Sequence, residues 1–210
     1  MSKTILYVED NEMNRQIVRD LLTRTTYTLV EANDGEAGEG DNVSSEAIGV
    51  DGGQGNDTMT VLDSAAVQQR TRLEGGDGAD HLSILRHTEA GWIFGGAGPD
   101  VIHIEALYGL VHAANGDDII FGGDRGEALW GEGGDDTLRG FGGRDSLFGS
   151  GGADELLPGA GKDSASGGQG PDTIFARDGQ RDVVDGGRGK DDRARVDVGL
   201  DRVVSIETLF

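Results

Sequence analysis

Carboxylates recur in this chain at a fixed distance behind paired glycines. The pattern is Gly-Gly-x-Gly-x-Asp-x-apolar-x, first seen as Gly52-Gly-Gln-Gly-Asn-Asp-Thr-Met-Thr60, Gly75-Gly-Asp-Gly-Ala-Asp-His-Leu-Ser83 and Gly95-Gly-Ala-Gly-Pro-Asp-Val-Ile-His103. From residue 113 to residue 175 it runs without a gap, and the sixth position reads Asp118, Glu127, Asp136, Asp145, Asp154, Asp163 and Asp172. Gly186-Gly-Arg-Gly-Lys-Asp191 follows as a weaker turn. Glycine adopts left-handed backbone angles at no steric cost, so such a turn can aim several carbonyl oxygens at one point. The acid adds a carboxylate. Oxygen donors in a flexible arrangement suit calcium, which takes six to eight of them. The expected carboxylate ligands are Asp57, Asp80, Asp100, Asp118, Asp136, Asp145, Asp154, Asp163, Asp172 and Asp191. The expected carbonyl ligands are those of Gly95, Gly131, Gly133, Gly140, Gly142, Gly149, Gly151, Gly167 and Gly168.

One turn supplies too few oxygens, so each ion must lie between two stacked turns. The stacking element is legible in the same repeat. Each nonapeptide divides into a six-residue turn and a three-residue strand, and the eighth position, Ile120, Leu129, Leu138, Leu147, Leu156, Ala165 and Ile174 in the unbroken run, points inward. A single aliphatic cannot form a core alone, so neighbouring repeats must share one. Alternate turns then stack on the same side. One file carries Asp100, Asp118, Asp136, Asp154 and Asp172, while the opposite file is interrupted: Arg125 replaces a glycine, Glu127 replaces an Asp, and the turn ending at Arg181 has no acid at position six. The two files are expected to be unequal, with one good site on the second.

These residues resemble the RTX (haemolysin-type) calcium-binding nonapeptide repeat over 51–194. The resemblance implies a mainly β fold, a right-handed parallel β-roll in which two nonapeptides make one coil and several calcium ions line the turns. It further implies an extracellular or cell-surface module, of the kind found in type I-secreted toxins, proteases and lipases, that folds when calcium is bound.

Composition agrees. Glycine supplies 38 of 210 residues, yet three prolines and no three-residue period exclude a collagen-like chain. Acids outnumber bases 39 to 18, for a formal charge of −21, which disfavours nucleic acid and anionic membrane as partners and favours cations. A disordered Gly-Asp-rich linker would not keep acid and aliphatic residues in phase over so many repeats. Cysteine is absent, which excludes disulfides and thiolate metal sites. No apolar run suits a signal peptide or a membrane span.

Residues 1–38 read differently, as strand, helix and strand. Ile5-Leu-Tyr-Val-Glu-Asp-Asn-Glu-Met-Asn14 and Tyr27-Thr-Leu-Val-Glu-Ala-Asn-Asp-Gly-Glu-Ala37 resemble the opening of a response-regulator receiver domain. The helix stripe would be Met13, Ile17, Val18, Leu21 and Leu22. The resemblance implies that Glu9 and Asp10 hold magnesium weakly. The strand that should carry the phosphoacceptor is missing, so phosphorelay signalling is the disfavoured alternative and the segment is expected to act as a cap. Residues 39–50 read as a linker or cap, and 195–210 as capping strands. The last residues also weakly resemble a type I secretion signal in Glu207, Leu209 and Phe210.

No catalytic constellation is present, so no enzyme activity is expected. His81, His87, His103 and His112 lack zinc spacing; His81 and His103 fall on outward positions. Position nine carries Phe121, Trp130, Phe148 and Phe175, which are expected to face outward at strand positions, partly buried at the corners of the roll in the favoured reading, with an apolar partner surface as the alternative.

Overall fold

The computed structural model describes residues 3–8, 27–33, 47–62, 70–85, 90–105 and 108–210, with the backbone alone for 3–8, 27–33, 47–49, 62, 70 and 108. Within them the chain is a parallel β-solenoid. Successive repeats deliver their strands alternately to two sheets, one of eleven strands and one of nine. Like positions pair with like: Ile120 lies between Ile102 and Leu138, and Leu129 between Val111 and Leu147. Neighbouring partners in the regular region are therefore two nonapeptides apart, as the period predicts. Among the described residues there is no helix, and none long and apolar enough to cross a membrane.

The core is two facing columns of eighth-position aliphatics. Met59, Leu82, Ile102, Ile120, Leu138, Leu156, Ile174 and Ala194 come from the larger sheet, and Val50, Leu73, Ile93, Val111, Leu129, Leu147, Ala165 and Val184 from the smaller. Each Leu or Ile removed from water contributes about 2 kcal/mol.

The solenoid is longer than the repeat suggests. Ala47–Gln54 is one continuous strand in the smaller sheet, so residues 47–50 belong to the roll and not to a linker. Arg202–Val204 and Thr208–Leu209 add one parallel strand to each sheet. At the other end Lys3–Val8 pairs parallel with Tyr27–Asn33, which in turn pairs antiparallel with Thr58–Leu62. The receiver-like reading meets a topological difference here. In the flavodoxin-like order the first strand is internal and the second is at the edge; in this chain the second strand is internal and the first is at the edge. The physical reason is that the second strand uses its free edge on the solenoid sheet. The expected helix, with Glu9 and Asp10, lies outside the described residues.

The turn conformation demands glycine at the second position. Gly76, Gly96 and Gly168 have positive φ there, and so do four residues that are not glycine: Ala114 (84°), Glu132 (78°), Phe141 (71°) and Ser150 (86°). An L-residue in this region costs roughly 1–2 kcal/mol. Ser150→Gly is therefore expected to stabilise the folded protein by about 1 kcal/mol, after the entropy glycine adds to the unfolded chain. The reverse change, Gly168→Ser, is expected to destabilise it by more, because a Cβ there would fall within 2.7 Å of the Ser150 backbone. Denaturant midpoints of the two variants check this; midpoints equal to that of the parent would show that the turn is not strained.

Candidate metal centre

The carboxylates form two rows, one along each file of turns. In the first file, the amide of Asp57 donates to Asp80 Oδ1, that of Asp80 to Asp100, and so on through Asp118, Asp136, Asp154, Asp172 and Asp192 to Glu207, at 2.8–3.0 Å. The second file begins at Glu127 and continues through Asp145, Asp163 and Asp182 to Asp201, over the same distances. Each carboxylate after the first of its file thus holds the coil before it by one oxygen, while Glu127 accepts the Gly123 amide of its own turn. In every buried carboxylate from Asp80 to Asp192 the second oxygen is itself buried and has no hydrogen-bond partner.

Where the turn begins with glycine, the second oxygen of the aspartate faces that glycine, as at Asp80, Asp100, Asp136, Asp145, Asp154, Asp172 and Asp192. A Cβ built on Gly95 would stand 2.5 Å from the Ala113 carbonyl oxygen and closer still to Asp100 Oδ2. At Gly149 the same position is 2.7 Å from the Gly167 carbonyl oxygen and again closer to Asp154 Oδ2. Gly140 and Gly186 repeat the arrangement with Asp145 and Pro158, and with Asp192 and Ser205. First-position glycine leaves a space bordered by a carboxylate oxygen and a carbonyl oxygen from the next coil. Among the described residues no three His, Asp or Glu side chains converge on one point. Most ligands to an ion here would therefore be backbone carbonyls, with carboxylates from adjacent coils. Orphaned oxygens, an oxygen-only donor set and a glycine-walled space together fit calcium.

The structure brings most of the sequence-predicted groups together along the two files. Asp57, Asp80, Asp100, Asp118, Asp136, Asp154 and Asp172 lie in the first file, and Asp145 and Asp163 in the second, all buried. Gly95, Gly131, Gly140, Gly149 and Gly167 are the first-position glycines against the carboxylates. The carbonyls of Gly133, Gly151 and Gly168 already accept amide hydrogens, from Gly116, Gly134 and Arg188, and keep one lone pair each. Gly142 joins a two-residue ladder with Ala160 on the second file.

Two placements differ. Asp191 is exposed with φ 69°, and the buried carboxylate is its neighbour Asp192. The turn ending near Arg181 does have its acid: Asp182 is buried and holds Asp163. Both turns contain one residue more than the repeat, and the strands, not the glycines, set the register: Arg193 pairs with Thr173 and Val183 with Ser164. Asp201 and Glu207 were missed for the same reason. Counting back two residues from the strand partners that continue the aliphatic column, Val184, Ala194, Val203 and Leu209, finds all four.

The files are unequal, but in length. Position six of the second file reads Thr71, Gly91 and Gly109 in the early coils, the partners of Glu127 by register. There the inward residue at position one is Val61, Ile84 or Ile104, where later coils have Gly122, Gly140 and Pro158. A Cβ on Gly109 would meet Ile104 Cδ1 at 3.2 Å. Early coils thus fill with an aliphatic side chain the space that later coils give to a carboxylate.

Burial raises the carboxyl pKa values along the buried stretch from Asp80 to Asp192. Asp100, Asp136, Asp145 and Asp154 are pushed to about 7 and Glu127 to about 8, chiefly by loss of hydration. Amide hydrogen bonds oppose this, and the neighbouring carboxylates add to it. Without a cation, groups with values this high are partly protonated near neutral pH.

Position nine splits between two faces. Trp130 and Phe148 stack with His112 and Phe94 on the smaller sheet, with ring centroids 4.7–5.6 Å apart. Phe121 packs on His103 and Phe141 on the larger sheet, and Phe175 meets Phe210 edge-on. All four expected residues are half-buried, and they do not form one surface, because alternate repeats belong to opposite sheets. His81 and His103 are exposed.

Comparison with known proteins agrees with this geometry. The family described as the RTX calcium-binding nonapeptide repeat (4 copies) matches residues 110–124, 121–156 and 158–192. None of the curated proteins searched matches the chain.

The raised pKa values set a pH dependence. A carboxyl whose pKa is higher in the folded chain than its ordinary 3.8 favours folding in its protonated form. That contribution is complete below about pH 4 and is lost as pH rises through the folded values, about 6 to 8. In excess chelator the β-sheet circular dichroism is expected to be stronger at pH 5 than at pH 8. Addition of calcium at pH 8 is expected to restore it. Equal signals at the two pH values under chelation would show that the buried carboxylates are neutralised by another group.

Proposed function

We propose that this chain binds several calcium ions along its two carboxylate files, and that this binding drives the folding of the roll. The observation that carries the reading is the row of buried carboxylate oxygens without hydrogen-bond partners, most of them beside a first-position glycine, as at Gly95, Gly131, Gly149 and Gly167. Ionised, these groups repel one another across adjacent coils about 4.8 Å apart. A divalent ion between coils would supply the missing charge, and it binds only where the carbonyls have been brought together. Binding free energy is then folding free energy.

Asp136 and its neighbours Asp118 and Asp154 would hold ions on the first file with carbonyls of the same turns. Asp145, Asp163 and Asp182 would do so on the second. The module carries no chemistry beyond binding in this reading, and it is not an enzyme. Affinities on the order of 10⁻⁴–10⁻³ M suit an extracellular or cell-surface setting, where calcium is abundant. The same setting fits a non-catalytic module of a secreted toxin, protease or lipase.

Two measurements test the reading. Circular dichroism of the whole chain at pH 8 is expected to show little β structure in chelator and a cooperative gain with millimolar calcium; full β content in chelator at low salt would overturn it. Calcium titration of Asp136→Asn and Glu127→Gln separates the files. Both changes keep an acceptor oxygen and remove a charge. Asp136 has a carboxylate neighbour on each side, whereas Glu127 has only Asp145. Asp136→Asn is expected to weaken calcium binding on the order of tenfold, the scale of a lost charge-assisted contact, and Glu127→Gln by less. Equal losses would show that ions are distributed evenly.

A further inference from the structure

The base-rich part of this acidic chain lies near its C-terminal end. Residues 176–210 contain eight acids and seven bases, a net of −1, which leaves −20 of the total −21 on residues 1–175. Within this near-neutral region three guanidinium groups gather around two aromatic rings on the outer face of the larger sheet. Phe175 and Arg195 are register partners on adjacent strands. Arg177 follows Phe175 by two residues and points outward like it, because Ala176 between them is buried. Phe210 stands edge-on to Phe175, with ring centroids 5.7 Å apart, and Arg193 lies over the Phe210 ring at 5.1 Å. Phe175, Arg177 and Arg195 line a cleft of about 420 Å³.

The cations of the cleft are poorly neutralised by the protein itself. Arg177 reaches Asp197 only at 3.8 Å, with the guanidinium side chain 62% exposed. Arg195 has no ion pair among the described residues. In a chain with twice as many acids as bases this is unusual, since a carboxylate partner is statistically close at hand. The volume falls in the range of small-molecule sites, roughly 300–1,000 Å³. Guanidinium groups present paired donors that match a carboxylate, and a phenyl ring offers a flat apolar wall.

We propose that this cleft binds a small aromatic carboxylate, with the carboxylate on Arg195 and Arg177 and the ring against Phe175. The site is separate from the carboxylate files, and the proposal needs only the folded roll. Benzoate is the probe, with acetate as the charged control without a ring and benzyl alcohol as the ring without a charge. The whole chain is held in saturating calcium, and its folded state is verified by circular dichroism in each sample. Ligand-detected NMR titration is expected to show saturable benzoate binding in the millimolar range, and at least tenfold weaker binding of acetate and of benzyl alcohol. Arg195→Gln is expected to weaken benzoate binding about tenfold with the calcium titration unchanged. Phe175→Leu is expected to reduce the preference for benzoate over acetate. The proposal is overturned by absence of saturable benzoate binding to the folded protein at 20 mM. It is overturned equally by acetate binding as tightly as benzoate, or by an Arg195→Gln protein that binds benzoate like the parent. Failure of the calcium reading is read separately, from the circular dichroism without ligand.

Discussion

A carboxylate that uses one oxygen to hold the neighbouring coil and leaves the other buried is the interaction on which this structure depends. The first oxygen is a structural acceptor: Asp154 takes the amide of Asp136, and Asp136 takes that of Asp118. The second oxygen has no partner in the protein. A buried, unpartnered carboxylate is among the most costly groups a fold can contain, and it must be protonated or matched by a cation. First-position glycine follows from the same geometry, because any Cβ at Gly131 or Gly167 would overlap the carboxylate of its own turn. Glycine content, acidic charge and cation dependence are therefore consequences of one contact repeated along the roll.

The early coils show what happens when that contact is absent. On the second file Ile104 and Gly109 occupy the places that Gly140 and Asp145 hold later. The large residue moves from position six to position one, and the space stays filled. Val61 with Thr71, and Ile84 with Gly91, occupy the same two positions in the coils before it. The first part of the roll is thus closed on one side by apolar packing and on the other by carboxylates, while the later part has carboxylates on both sides. Apolar packing works without ions, so the two parts are built to different physical requirements although they share one backbone path.

Most of this was legible from the spacing of glycine, acid and aliphatic residues. The inward column, the alternation between two sheets and the membership of the first file follow from a nine-residue period with two repeats per coil. The errors share one cause. A count forward from the glycines points to Asp191 rather than Asp192 and passes over Asp182, because each of these turns holds one residue more than the repeat. A turn tolerates an extra residue in a left-handed conformation, as Asp191 does at φ 69°. A strand tolerates none, since a shift of one residue would turn Ala194 outward and Arg193 inward. Register is therefore carried by the buried aliphatic. The exchange of Ile104 for a carboxylate was illegible for a different reason: the motif vanishes from the sequence while the packing volume is conserved in space.

The N-terminal segment shows the limit of local resemblance. Lys3–Val8 and Tyr27–Asn33 do pair in parallel, as the opening of a receiver would require. A local β-α-β pattern specifies that pairing and nothing about the outer edges of the pair. Which edge is taken depends on what strand is available, and here the solenoid offers the edge of Thr58–Leu62. Tyr27–Asn33 meets it antiparallel, whereas all other described pairings in the two large sheets are parallel. A parallel ladder invites another coil to stack in register, but an antiparallel strand presents a different hydrogen-bond spacing and interrupts the repeat. The same residues that read as the start of a signalling domain thereby extend the larger sheet by two strands outside the repeat, with Lys3–Val8 at its edge.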